Sequence, residues 1–80
     1  MKKYLYFYLD ENADFHVVQV DSDCTPNAAI AARKIALPHD KRLARCVLAA
    51  DDYSLSAVRD SLMIDRARIE RCGRLPYELD

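Results

Sequence analysis

Three cysteines, two histidines and two short acidic runs are the residues of this chain best equipped for chemistry. Cys24, Cys46, Cys72, His16 and His39 offer the donor types of a zinc site. None of them stands in the close Cys-x-x-Cys or His-x3-His spacing that fixes a tetrahedral ion, so no metal is expected. Asp21-Ser22-Asp23 and Asp51-Asp52 carry hard-cation ligands, but each run lies just before an expected helix start. There a carboxylate is already accounted for by unpaired amides and the helix dipole. Nucleophilic catalysis finds no Gly-x-Ser-x-Gly turn and no histidine beside a cysteine. The single glycine, Gly73, excludes a glycine-rich phosphate loop. These residues predict a protein that binds rather than catalyses, with no cofactor.

Bulk properties agree with that expectation. Eighty residues make one domain, spanning residues 1–80, with a thin core and little room for an enclosed substrate pocket. A hydrophobic fraction of 51% and a charged fraction of 31% are those of a globular chain, and a net charge of -1 gives no general affinity for polyanions. The run from Tyr4 to Leu9 is too short and too rich in tyrosine for a signal peptide, and no stretch approaches the ~20 apolar residues of a membrane span. With an odd number of widely spaced cysteines, the chain reads as cytoplasmic, with reduced thiols and no membrane partner.

The elements that must position any site follow from periodicity. Residues 3–9 alternate, with Leu5, Phe7 and Leu9 on one side and Tyr4, Tyr6 and Tyr8 on the other. Residues 14–20 form a second strand, joined through Asp10-Glu11-Asn12-Ala13, with Asn12 the residue best suited to a left-handed conformation. A four-residue loop would set His16, Val18 and Val20 beside the leucine face, and a five-residue loop would set Phe15 and Val17 there. Thr25 as N-cap and Pro26 open a helix to about Ala36, with Ala28, Ala31, Ala32 and Ile35 as its apolar stripe. Asp40 caps a second helix, in which Leu43, Cys46, Val47 and Ala50 recur at helical spacing; a strand reading of 43–50 is the weaker one. Ser54 caps a third helix through Leu62, and Asp65 a fourth that Gly73 ends, with Pro76 beyond it. The expected class is α+β: an N-terminal two-stranded antiparallel hairpin packed with three to four helices.

Two surfaces stand out as partner-binding candidates. Tyr4, Tyr6 and Tyr8 form either a second apolar layer or an exposed aromatic stripe of the composition found at protein interfaces. With helices on one sheet face only, the leucine face is the covered one. The tyrosines are then exposed, covered by a partner, or paired across a homodimer. On the first helix, Ile30 falls opposite the alanine stripe, between Arg33 and Lys34.

Residues 55–76 carry the most specific pattern. Apolar residues at positions 4, 8, 10, 15 and 18 of a roughly twenty-residue unit pack a helix-turn-helix together. Counting from Leu55, these are Val58, Leu62, Ile64, Ile69 and Cys72. The segment from Asp65 to Arg71 resembles the recognition helix of phage Cro-type repressors, with Arg59 and Met63 as departures where that family has alanine and glycine. The resemblance implies DNA contacts by Asp65, Arg66, Glu70, Arg71 and Arg74. A plain helical hairpin produces the same pattern. Residues 15–36, a Phe-x-Val-x-x-Val strand, a polar break and an alanine-rich helix, resemble small phage anti-CRISPR proteins. That resemblance implies a compact inhibitor that acts by surface contact with a protein partner such as a CRISPR effector complex. Near-neutral charge favours this reading over a DNA-binding regulator.

Overall fold

A computed structural model describes residues 1–36 and 40–75. The chain runs β1 (Lys2–Leu9), β2 (Phe15–Ser22), α1 (Thr25–Ile35), β3 (Ala44–Leu48) and α2 (Leu55–Cys72). The strands form one antiparallel sheet in the order β2-β1-β3. The α+β class agrees with the sequence, but three strands and two helices replace the expected two-stranded hairpin with three to four helices.

The first hairpin closes through a five-residue loop, since Leu9 pairs with Phe15. This register sets Phe15 and Val17 on the Leu5-Phe7-Leu9 side, opposite Leu9 and Phe7 respectively. The loop is held by Asp10. Its Oδ1 accepts the amides of Asn12 and Asp14 at 2.8 and 3.0 Å, and its backbone N–H donates to the Asp14 carbonyl at 3.1 Å. The left-handed residue is Ala13, at φ 64°, not Asn12. The Asx-type bonds of Asp10 fix the turn and leave Ala13 to close it, at a small steric cost.

Residues 44–48, expected in a helix, are a strand. The apolar spacing that suggested a helix also reads with period two: Ala44, Cys46 and Leu48 share one face, Arg45 and Val47 the other. Pairing with β1 gives every backbone group of the central strand a partner, and that tertiary gain outweighs local helix propensity. The expected third and fourth helices are one 18-residue helix. Nothing between Ser54 and Gly73 breaks it, because Met63 stands where a turn would need glycine and Asp65 is spent on a tertiary ion pair instead of a cap. Both outer ends behave as their residues dictate. Ser54 Oγ accepts the Ala57 amide at 3.3 Å, and Gly73 adopts φ 77° while its N–H donates to Ile69 O at 2.7 Å.

The N-cap of α1 is Cys24, with no side-chain cap bond, and Thr25 is the first helical residue rather than the cap. Asn27 Nδ2 instead donates to Asp23 Oδ1 at 3.0 Å, and this bond is the main cause holding the Asp23 carboxyl below its usual range. Ala28 and Ala32 are fully buried, while Ile35, expected in the same stripe, is exposed and Ala36 is buried in its place.

The core has two layers, one on each sheet face. Beneath α1 lie Tyr4, Tyr6, Val20, Ala28 and Ala32, flanked by Tyr8, Val18, Ala44, Cys46 and Leu48. On the other face, α2 delivers Leu62 onto Phe7, Leu9 and Leu43, joined by Phe15, Val47, Tyr53, Val58, Met63 and Ile69. Phe7 stacks on Phe15 at 5.5 Å and meets Tyr53 edge-on at 5.8 Å between ring centroids. The protein is therefore a helix–sheet–helix sandwich. Small alanines on α1 make room for tyrosines beneath it, and larger leucines face the second helix.

Candidate functional site: the outer face of α1 and the free edge of β3

The tyrosine stripe is core, not surface. Tyr4 is 4% and Tyr6 1% exposed, and Tyr8 is half-buried against the same cluster. The sequence expectation failed because both sheet faces are covered, which the continuous α2 makes possible. Tyr8 stacks on His16 at 5.0 Å, and His16 Nε2 donates to Asp10 Oδ2 at 2.7 Å, tying the hairpin loop to β2. That hydrogen bond is the largest cause holding the Asp10 carboxyl below its usual range.

The other three partner-binding candidates lie on α1. Ile30 is 52% exposed, Lys34 is exposed, and Arg33 is half-buried, its Nε donating to the Tyr6 hydroxyl at 3.3 Å. Ile35, the last residue of α1, is 69% exposed but lies on a different side of the helix from Ile30. Arg33 thus has its stem over the tyrosine layer and its charge at the rim of an apolar surface. Beneath it, burial pushes the Cys46 thiol up, partly offset by the Arg33 charge, so Cys46 remains a thiol at neutral pH.

The residues assigned to DNA contact do not form a recognition helix. With α2 continuous there is no turn between two helices, and the helix packs on the sheet. Val58, Leu62 and Ile69 reach the core, whereas Ile64 and Cys72, also expected at the helix–helix seam, are exposed. Asp65 is buried and accepts from Arg45 Nη2 of β3, with Arg68 Nη1 at 4.0 Å on its other oxygen. Arg66 pairs with Glu70 at 2.9 Å along the helix, and Arg71 and Arg74 are exposed. The Asp65–Arg45 pair has no local sequence signal, since its partners lie twenty residues apart on elements whose types were read differently.

Among the described residues, clefts open at several places on the surface. One of about 550 Å³ is lined by Lys2, Lys3, Leu48, Ala49 and Ala50. A second, of about 180 Å³, lies at Asp10, Asp40, Leu43, Arg66, Ile69 and Glu70. The third, of about 370 Å³, runs between β3 and the start of α2, past Arg45, Val47, Tyr53, Ala57, Val58 and Ser61. The first and third are open depressions, and the small second one is more enclosed. Among the described residues no group of three or more metal-ligating side chains converges, Cys24, Cys46 and Cys72 are free thiols, and no helix is long and apolar enough to cross a membrane. His39 lies outside the described residues.

No protein-family model matches the chain, and neither curated proteins nor solved structures give a match.

Proposed function

We propose that this chain is a non-catalytic, cytoplasmic protein-binding module that docks a protein partner on the outer face of α1. The observation that carries the reading is the exposure of Ile30 between Arg33 and Lys34, on the side of α1 opposite the buried Ala28 and Ala32. A large apolar side chain flanked by two cations fits an apolar contact bordered by acidic residues. The rigid backing of Ala28 and Ala32 against the tyrosine layer means little ordering cost on binding. An inhibitor or adaptor that acts by surface contact is the class implied by the resemblance of residues 15–36 to small anti-CRISPR proteins. A CRISPR effector complex is the first partner to try.

Affinity purification from a bacterial lysate, with mass spectrometry of what co-purifies, tests the reading when run in parallel on Ile30→Asp and Lys34→Glu. Both positions are exposed, so the variants retain the fold and lose the partner. A partner captured equally by wild type and both variants would remove α1 as the docking face.

A further inference from the structure

Among the described residues, the hydrogen-bond ladder leaves one side of β3 without a partner strand. Leu9 N–H donates to Leu43 O at 3.0 Å and Ala49 N–H to Lys3 O at 2.9 Å, which brackets the pairing of β1 with β3. In an antiparallel ladder the hydrogen-bonded positions alternate. Residues 43, 45, 47 and 49 therefore bond to β1, and Ala44, Cys46 and Leu48 direct their amides and carbonyls away from it. Among the described residues no strand lies on that side, since the sheet order ends at β3. The Ala44 carbonyl accepts Arg45 Nη1 at 2.9 Å and the Leu48 carbonyl accepts the Asp51 amide at 3.0 Å. Each keeps a second lone pair, and the outward amides of all three residues keep their protons to give.

Edge strands usually carry a guard against pairing, such as a charge, a proline or a bulge. The other edge, β2, has exposed His16, Gln19 and Asp21. The charge on β3 is Arg45, whose guanidinium donates to Asp65 and Ser61 on the α2 side and to the Ala44 carbonyl at the edge itself.

We infer that β3 pairs antiparallel with β3 of a second copy of this chain, about a two-fold axis through Cys46, joining two three-stranded sheets into one. The register fits a second copy on three counts. Cys46 faces its own equivalent and exchanges both backbone bonds with it. Ala44 lies opposite Leu48 of the other copy, so a small side chain meets a large one. Arg45 lies opposite Val47, so the two arginines are never directly opposed. The two-fold axis preserves faces, placing the two α1 helices on one side of the joined sheet and the two α2 helices on the other. The cleft lined by Tyr53, Ala57 and Val58 then borders its symmetry mate. This pairing leaves Ile30 and Lys34 uninvolved, so it stands independently of the α1 docking surface.

Hydrogen exchange on the wild-type protein, followed residue by residue across a dilution series with the mass measured by sedimentation, tests it. The expected result is a mass that doubles with concentration. In the doubled species the amides of Ala44, Cys46 and Leu48 should exchange at least about tenfold more slowly than in the monomer. Cys46→Pro removes an outward amide and no bond to β1, at the cost of a half-buried thiol, and should give a folded monomer at every concentration. In a Cys24→Ser/Cys72→Ser background, a short bismaleimide should link two chains through Cys46. A monomer at all concentrations with those amides exchanging freely overturns the inference. So does protection of the same amides in the monomer, which would mean the edge is covered within the chain, and so does a dimer that survives Cys46→Pro.

Discussion

Arg45 on β3 and Asp65 on α2 form an ion pair across the layer between sheet and helix, with Asp65 only 6% exposed. Asp65 lies one turn beyond Leu62, so the pair continues the apolar stripe of α2 and fixes where along β3 the helix sits. Ser61 accepts from the same guanidinium at 3.4 Å. Removing one partner strands the other in a partly dry site. Asp65→Ala is expected to cost about 2–3 kcal/mol, and the Arg45→Met/Asp65→Leu double substitution about 1 kcal/mol or less. A double-mutant cycle by urea denaturation, with Arg45→Met and Asp65→Leu as its single variants, checks the pair, and a double variant whose cost equals the sum of the two singles would mean the pair holds nothing.

The buried tyrosine layer predicts the outcome of truncation on β1. Tyr6→Ala should cost about 3–5 kcal/mol, a large share of the roughly 5–15 kcal/mol that holds a domain together. Tyr6→Phe removes only the bond from Arg33 and should cost about 1 kcal/mol. Circular dichroism melts of both variants separate packing from the hydroxyl. If Tyr6→Ala melts like wild type, the layer is not core.

Asp10 supplies a pH-dependent element. Its carboxyl is held below the usual range, first by His16 and then by the Asp14 amide. Its stabilisation of the hairpin is therefore fully present above the ordinary carboxylate pKa and is lost as pH falls through the lower folded value. Asp10→Asn should flatten the acid limb of the stability curve relative to wild type. The check is a set of thermal melts from pH 6 downwards, in which identical acid limbs would contradict the assignment.

The two ends of α2 can be tested separately. Ser54→Ala removes the bond to the Ala57 amide and should cost about 1 kcal/mol. Gly73→Ala places a side chain at φ 77°, in open space but in a disfavoured conformation, for about 1–2 kcal/mol. At about 4–8 °C per kcal/mol for a domain of this size, both should be visible as lowered Tm values by calorimetry.

Local chemistry was enough for the sequence to determine the first hairpin's strands, the Pro26 start of α1, the Ser54 cap and the Gly73 stop. It also placed Ile30, Arg33 and Lys34 opposite the alanine stripe, because helical spacing alone decides that. Only the tertiary structure decided the rest. The pattern around Cys46 and Val47 fits both a helix and a strand, and the tie was broken by the free side of β1, which residues 43–49 satisfy by pairing. The spacing from Val58 to Cys72 fits two helices packed on each other as well as one helix lying on a sheet. The choice fell to Phe7, Leu9 and Leu43, which need α2 as their cover. Once that face was covered, the tyrosines no longer had to be exposed, and α1 closed over them. Which face of a strand meets water depends on what else in the chain reaches it, and period-two alternation carries no information about that.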